Sequence, residues 1–156
     1  MLSLFESAVD RHVTDIPVAV KICFGRAYGL QFSVNNENHR DDFYSSNELT
    51  LTGELRWHML VDNNSLLHFG PYLSRSTFTA TDDNNGHEKY QNYNLEPGIC
   101  GGFQTLVGNH FVIDPEVYAG IENTYRNKVL EGDNFFHENK SGELEMRIFL
   151  WIGYKL

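Results

Sequence analysis

The last fifteen residues, Gly142 to Leu156 (GELEMRIFLWIGYKL), limit what the rest of the chain can be. One parity carries Leu144, Met146, Ile148, Leu150, Ile152, Tyr154 and Leu156. The other carries Glu145, Arg147, Phe149, Trp151, Gly153 and Lys155. A strand sends successive side chains to opposite faces, so one face here is apolar throughout while the other is mixed and charged. The segment finishes on the apolar parity, with Tyr154 two residues and Gly153 three residues before Leu156.

The same alternation recurs upstream. Ile16 to Phe24, Tyr28 to Val34, Leu49 to Met59, Leu67 to Leu73, Tyr93 to Phe103 and Phe111 to Ile121 each place apolar residues at every second position, the period of a half-buried strand. Met1 to Val9 alternates weakly. Short turns are expected near 25–27, 61–65 and 107–109, and long polar connections at 35–47, 81–88 and 127–141. No helical crossover pattern appears, so the segments connect antiparallel. The expectation is an all-β, antiparallel up-and-down β-barrel occupying a single domain, 1–156. It has eight strands if Met1 to Val9 is one and Gly25-Arg26-Ala27 is a turn. A single strand from Ile16 to Val34 would leave six or seven, with 1–15 a loose or incomplete N-terminal segment.

At 156 residues the chain suits one domain with a real core or a small barrel. A net charge of −9 argues against nucleic acid and against a polybasic membrane patch. No apolar run approaches the roughly 20 residues of a transmembrane helix. The start lacks the pattern of a signal peptide, which was removed or never present. Cys23 and Cys100 fall on polar parities of separate segments and read as separate interior thiols.

Alternation alone fits two opposite objects. A soluble barrel points its apolar face inward around a hydrophobic ligand, whereas a membrane barrel points it outward into lipid. The first reading predicts that Leu51, Leu55 and Trp57 face inward. Two features favour the second. Short turns gather at one end and long polar connections at the other. The apolar-parity aromatics Phe24, Tyr28, Trp57, Phe69, Phe103, Phe111 and Tyr154 all lie near short turns or the C-terminal end, as a ring at a membrane–water interface would. The polar parity supplies Glu54, Arg56, Glu96, Glu116, Glu122, Glu145 and Arg147, which suit a narrow interior filled by paired charges rather than a porin-like lumen. Pro71, Pro97 and Pro115 fall inside these strands, where bulges are expected because proline removes a ladder donor.

The closing segment resembles the C-terminal signal of outer-membrane β-barrel proteins, with Gly153, Tyr154 and Leu156 at the glycine and the two apolar positions; Leu156 stands where that signal usually has Phe. Gly70-Pro71-Tyr72-Leu73 and Asn94 to Ile121 look like small Bacteroidetes-type outer-membrane barrels of OmpA- and OmpX-like size. The resemblance covers roughly Glu48 to Leu156. It implies localisation in a bacterial outer membrane and a structural or interaction role through long outer loops. Outer-membrane lipid, the barrel-insertion machinery and other envelope proteins would be the partners.

Catalysis has thinner support. His137, Glu138 and Ser141, or His87 with Glu88, are the residues a lipid-modifying barrel enzyme would use, but nothing in the spacing unites a nucleophile, a base and an orienting group. Asp82-Asp83-Asn84-Asn85-Gly86 lacks the alternating ligands of a calcium loop. His58, His68 and His110 share a parity but lie on different segments, so separate histidines are expected rather than a metal centre. Neither enzymatic activity nor a cofactor is expected.

Overall fold

A computed structural model describes residues 2–6, 17–24, 27–40, 44–82, 88–129 and 135–155, with side chains for 17–24, 27–38, 45–80, 91–125 and 142–155. Eight strands follow one another around a closed barrel: β1 (Leu2–Glu6), β2 (Val18–Phe24), β3 (Tyr28–Arg40), β4 (Tyr44–Leu60), β5 (Ser65–Asp82), β6 (Glu88–Val107), β7 (Phe111–Val129) and β8 (Phe135–Lys155). Each pairs antiparallel with its sequence neighbour, and β1 closes the ring by pairing with both β2 and β8. Between Val18 and Val34 the described residues form two strands rather than one, with Phe24 paired to Tyr28.

The parities separate as barrel geometry requires. Leu49, Leu51, Leu55, Trp57 and Met59 on β4 point outward, as do Phe111, Ile113, Val117 and Ile121 on β7 and Leu144 to Tyr154 on β8. On each of these strands the apolar stretch runs eleven residues, from Leu49 to Met59, Phe111 to Ile121 and Leu144 to Tyr154. The opposite parity fills the bore, where Lys21, Gln31, Glu54, Arg56, His68, Asp114 and Glu116 are all buried.

The register fixes the tilt. One row of register partners runs from Lys155 through Ser3, Lys21, Gln31, Glu54, Tyr72, Gly98 and Gly120 to Glu145, so a full circuit returns to β8 ten residues from where it left. A stagger of this size over eight strands inclines them by about 40°, inside the usual range for closed barrels.

Two expectations need correction. The polar stretches at 35–47 and 127–141 are strand wherever they are described, as are residues 81, 82 and 88: pairing continues from Asn35 opposite Thr50 to Arg40 opposite Ser45, and from Asn123 opposite Ser141 to Val129 opposite Phe135. From Asn35 to Arg40 both faces are polar, so the ladder persists there after the alternation that announces a strand has vanished. The second concerns the prolines, which need no bulge. Each points outward beside a two-pair gap in one ladder: Pro71 toward β4, Pro97 toward β7 and Pro115 toward β6. The register is the same on both sides of every gap. The other neighbour stays paired, with Pro71 opposite Ile99, Pro97 opposite Leu73 and Pro115 opposite Leu150. The register shift lies instead at Glu122/Asn123, where Gly142 is the extra residue on β8 with φ +91, a conformation that favours glycine.

Candidate functional site

The bore holds two charged clusters separated by aromatic rings. In the first, Arg56 is fully buried at 0 % exposure. Its Nη2 lies 2.6 Å from Glu54 Oε2 and 2.5 Å from Glu116 Oε1, Nη1 lies 3.2 Å from Asp114 Oδ2, and Nε donates to Glu54 Oε2 at 2.8 Å. Alternate inward positions on two strands that are not neighbours, β4 and β7, bring these groups together across the bore. Glu54 and Arg56 are two apart on β4, and Asp114 and Glu116 are two apart on β7. His68 Nε2 is 2.7 Å from Asp114 Oδ1, and the Tyr118 hydroxyl donates to Glu54 Oε1 at 2.5 Å and to Glu116 Oε2 at 3.0 Å. A planar guanidinium with five donors can satisfy several carboxylates at once, and only such pairing makes their burial tolerable.

Above this cluster the rings step across the bore. Tyr72 meets Tyr118 edge-on at 5.0 Å, Tyr118 meets Phe149 at 5.3 Å, and Phe149 stacks on Trp151 at 5.8 Å. Tyr72 fits because the two residues following it along its row are glycines. A Cβ on Gly98 would fall 2.5 Å from the Tyr72 ring and from Ala119 O, and one on Gly120 would strike the Tyr72 hydroxyl.

The second cluster lies on the far side of these rings. Arg147 pairs with Glu96, reaches toward Glu145 at 3.9 Å, and has its guanidinium carbon 6.0 Å from the Phe149 ring centre. Tyr72 donates to Glu96 as well. A cavity of about 200 Å³ opens here, bounded by Tyr118, Phe149 and Trp151 at its floor and by Glu37, Glu48 and Glu145 higher up.

Every charge expected in the interior faces the bore: Glu54, Arg56 and Glu116 in the buried cluster, Glu96 and Arg147 in the upper one, and Glu122 and Glu145 half-exposed beside them. Sequence reasoning left out Asp114 and Lys21, although each shares its strand's inward parity. Lys21 donates to Gln104. The aromatics Phe24, Tyr28, Trp57, Phe69, Phe103, Phe111 and Tyr154 all face outward, with Trp57 and Phe69 stacked at 5.9 Å and Phe111 edge-on to Tyr154 at 5.9 Å. Sequence reasoning also missed a second outward pair nearer the long connections, Tyr93 directly opposite Tyr125. Leu51, Leu55 and Trp57 face outward too, which overturns the inward orientation that a soluble ligand carrier requires.

His58 and His68 meet edge-on at 6.4 Å, while His110 sits in the β7 turn stacked on Tyr154 at 5.0 Å, so the three do not converge. His68, Asp114 and Glu116 meet the spacing of a metal site, as do Glu54, Cys100 and Glu116, but Arg56 already serves as the cation among these carboxylates. Glu96, Glu122 and Glu145 are similarly spaced around Arg147. Cys23 and Cys100 are free thiols, and Cys100 turns to Glu54 Oε2 at 3.7 Å. Leu156 and His87 lie outside the described residues, as do the side chains of His137, Glu138, Ser141 and Glu88. The backbone at His137, Glu138 and Ser141 belongs to β8, paired with Asn127, Arg126 and Asn123, rather than to a loop.

The fold is an all-β, up-and-down barrel with a charged interior and an apolar exterior. The solved structure of a major outer membrane protein from Thermus thermophilus is similar to it, with a TM-score of 0.60 at 12 % identity, covering 98 % of this chain and 97 % of that one. At that identity the likeness concerns the fold. No protein-family model and no curated protein matches the chain.

Proposed function

We propose that the chain is an integral barrel of a bacterial outer membrane, of OmpA- and OmpX-like size, with a structural or interaction role and no catalytic one. The observation that carries this reading is the inversion of the usual burial rule. Arg56 is 0 % exposed while Ile148 is 81 % exposed. In water such an exterior would aggregate; in a bilayer it is the required surface. The eleven-residue apolar stretches match the roughly 9–11 residues that a tilted strand needs to cross the hydrocarbon. Phe24, Tyr28, Trp57, Phe69, Phe103, Phe111 and Tyr154 would ring one interface, with Tyr93 and Tyr125 at the other.

The filled bore favours a structural barrel over a porin-like channel. The polar extensions of β3 to β8 would stand outside the bilayer, available to other envelope proteins. Lipid and the insertion machinery complete the partners, the latter through Gly153, Tyr154 and Leu156. Three measurements test the reading. The folded chain should migrate differently on a gel before and after boiling, and it should partition with detergent-solubilised membranes. Lipid-borne quenchers should reach Trp57. A chain that stays folded and monomeric in buffer without detergent sinks the proposal.

A further inference from the structure

The outward face carries one exception to its apolar character. Among the described side chains, Arg75 is the single charged group on the outward parity of the strands. It is exposed and sits in a row between Leu51 and Leu95, with Leu73 two residues toward the short turn. Two residues the other way, Thr77 stands opposite Leu49 and Tyr93, and Tyr93 stands opposite Tyr125. Arg75 therefore marks the level where carbon gives way to hydroxyl groups on the outside of the wall.

Its surroundings differ from those of the interior arginines. Arg56 has three carboxylates around it and Arg147 has two. No side chain pairs with Arg75 among the described residues, and Glu96, which follows its cross-strand partner Leu95, faces the bore. A guanidinium on a lipid-facing strand is strongly unfavourable at the bilayer midplane and nearly neutral at its edge. Its flexible stem lets the head reach the headgroup layer, and the anion most abundant there is phosphate. The planar fork matches phosphate oxygens two at a time, which an ammonium cannot do. Diagonal neighbours across an antiparallel pair are within reach of long side chains, which brings the Tyr93 hydroxyl near the same point as Arg75 and Thr77.

We propose that Arg75, with the hydroxyls of Thr77 and Tyr93, docks the phosphate of a lipid headgroup at the rim of the apolar belt. This rests on the outer-membrane reading above. The test uses the full chain folded in dodecyl maltoside, a phosphate-free detergent, titrated with phosphatidylglycerol and followed by native mass spectrometry. The folded chain should retain phosphatidylglycerol and release neutral diacylglycerol. Arg75→Gln should weaken retention by about tenfold, the scale of one charge-assisted contact. Arg75→Lys, which keeps the charge and loses the fork, should fall between.

Retention by Arg75→Gln equal to that of the parent overturns the proposal, and so does displacement of the lipid by millimolar inorganic phosphate, which would make the site one for a free anion. If Arg75→Gln does not fold, the doubly substituted Thr77→Val/Tyr93→Phe chain serves as the second probe, and unchanged retention there removes the hydroxyls from the site. Failure of the parent itself to show a boiling-dependent gel shift in detergent fells the outer-membrane reading instead, a separate outcome.

Discussion

The two charged clusters in the bore use the same chemistry in different surroundings. Around Arg56 the side chains of Glu54, Asp114 and Glu116 are 0 % exposed, whereas in the upper cluster the Arg147 side chain is 27 %, Glu145 38 % and Glu96 6 % exposed. Below the aromatic rings each charge depends on its partners, because water cannot replace them. Above the rings solvent screens the same kind of pair and takes over when a partner is lost. The difference between the clusters is one of wetting, and the rings from Tyr72 to Trp151 mark the boundary.

Breaking the lower cluster should have the largest effect. Arg56→Ala leaves three carboxylates buried without their cation and should cost about 3–5 kcal/mol, read from denaturant unfolding of the chain in lipid vesicles. Arg147→Gln, the equivalent change above the rings, should cost less in the same measurement, about 1 kcal/mol, since water reaches Glu145, and Glu96, itself only 6 % exposed, keeps the Tyr72 hydroxyl as a partner. Equal losses for the two variants would erase the distinction between the clusters.

The smallest effect belongs at the solvated extreme, where Asp62 lies in the β4–β5 turn. The backbone N–H of Asn64 donates to its Oδ1 at 2.7 Å and holds the carboxyl below its ordinary range. A carboxyl depressed in the folded state stabilises above its unfolded value, near about 3.9, and that contribution disappears as pH falls through the lower folded value. Asp62→Ala should therefore lose slightly to the parent at neutral pH and match it once both are strongly acidified. A gap between them that widens in acid would contradict the assigned hydrogen bond.

Much of the wall was legible because a bilayer-scale belt imposes period two: Leu49 to Met59 and Leu144 to Tyr154 could be assigned a face from sequence. Glu54 with Arg56, and Glu145 with Arg147, could be placed inside by the same rule. The strand extensions were not legible. From Asn35 to Arg40 both faces are polar, and a strand with no apolar face has the composition of a loop. Asp114 and Lys21 carried the right parity, Asp114 two residues from Glu116, but nothing in the linear pattern joined them to Arg56. Their meeting depends on which row each strand contributes, and that follows from register. The prolines misled for a related reason. Proline rules out one hydrogen bond, but a barrel strand has two neighbours, and here the ladder on one side simply opens for two pairs.

The ten-residue stagger has a further consequence. For a fixed number of strands, inclination sets the girth of the tube, so the slope of these ribbons determines how many atoms fit abreast inside. Were the same eight ribbons to stand more upright, the lumen would narrow and the guanidinium could not lie among three acids on one level. The chemical capacity of the interior is thus fixed by how steeply the wall climbs.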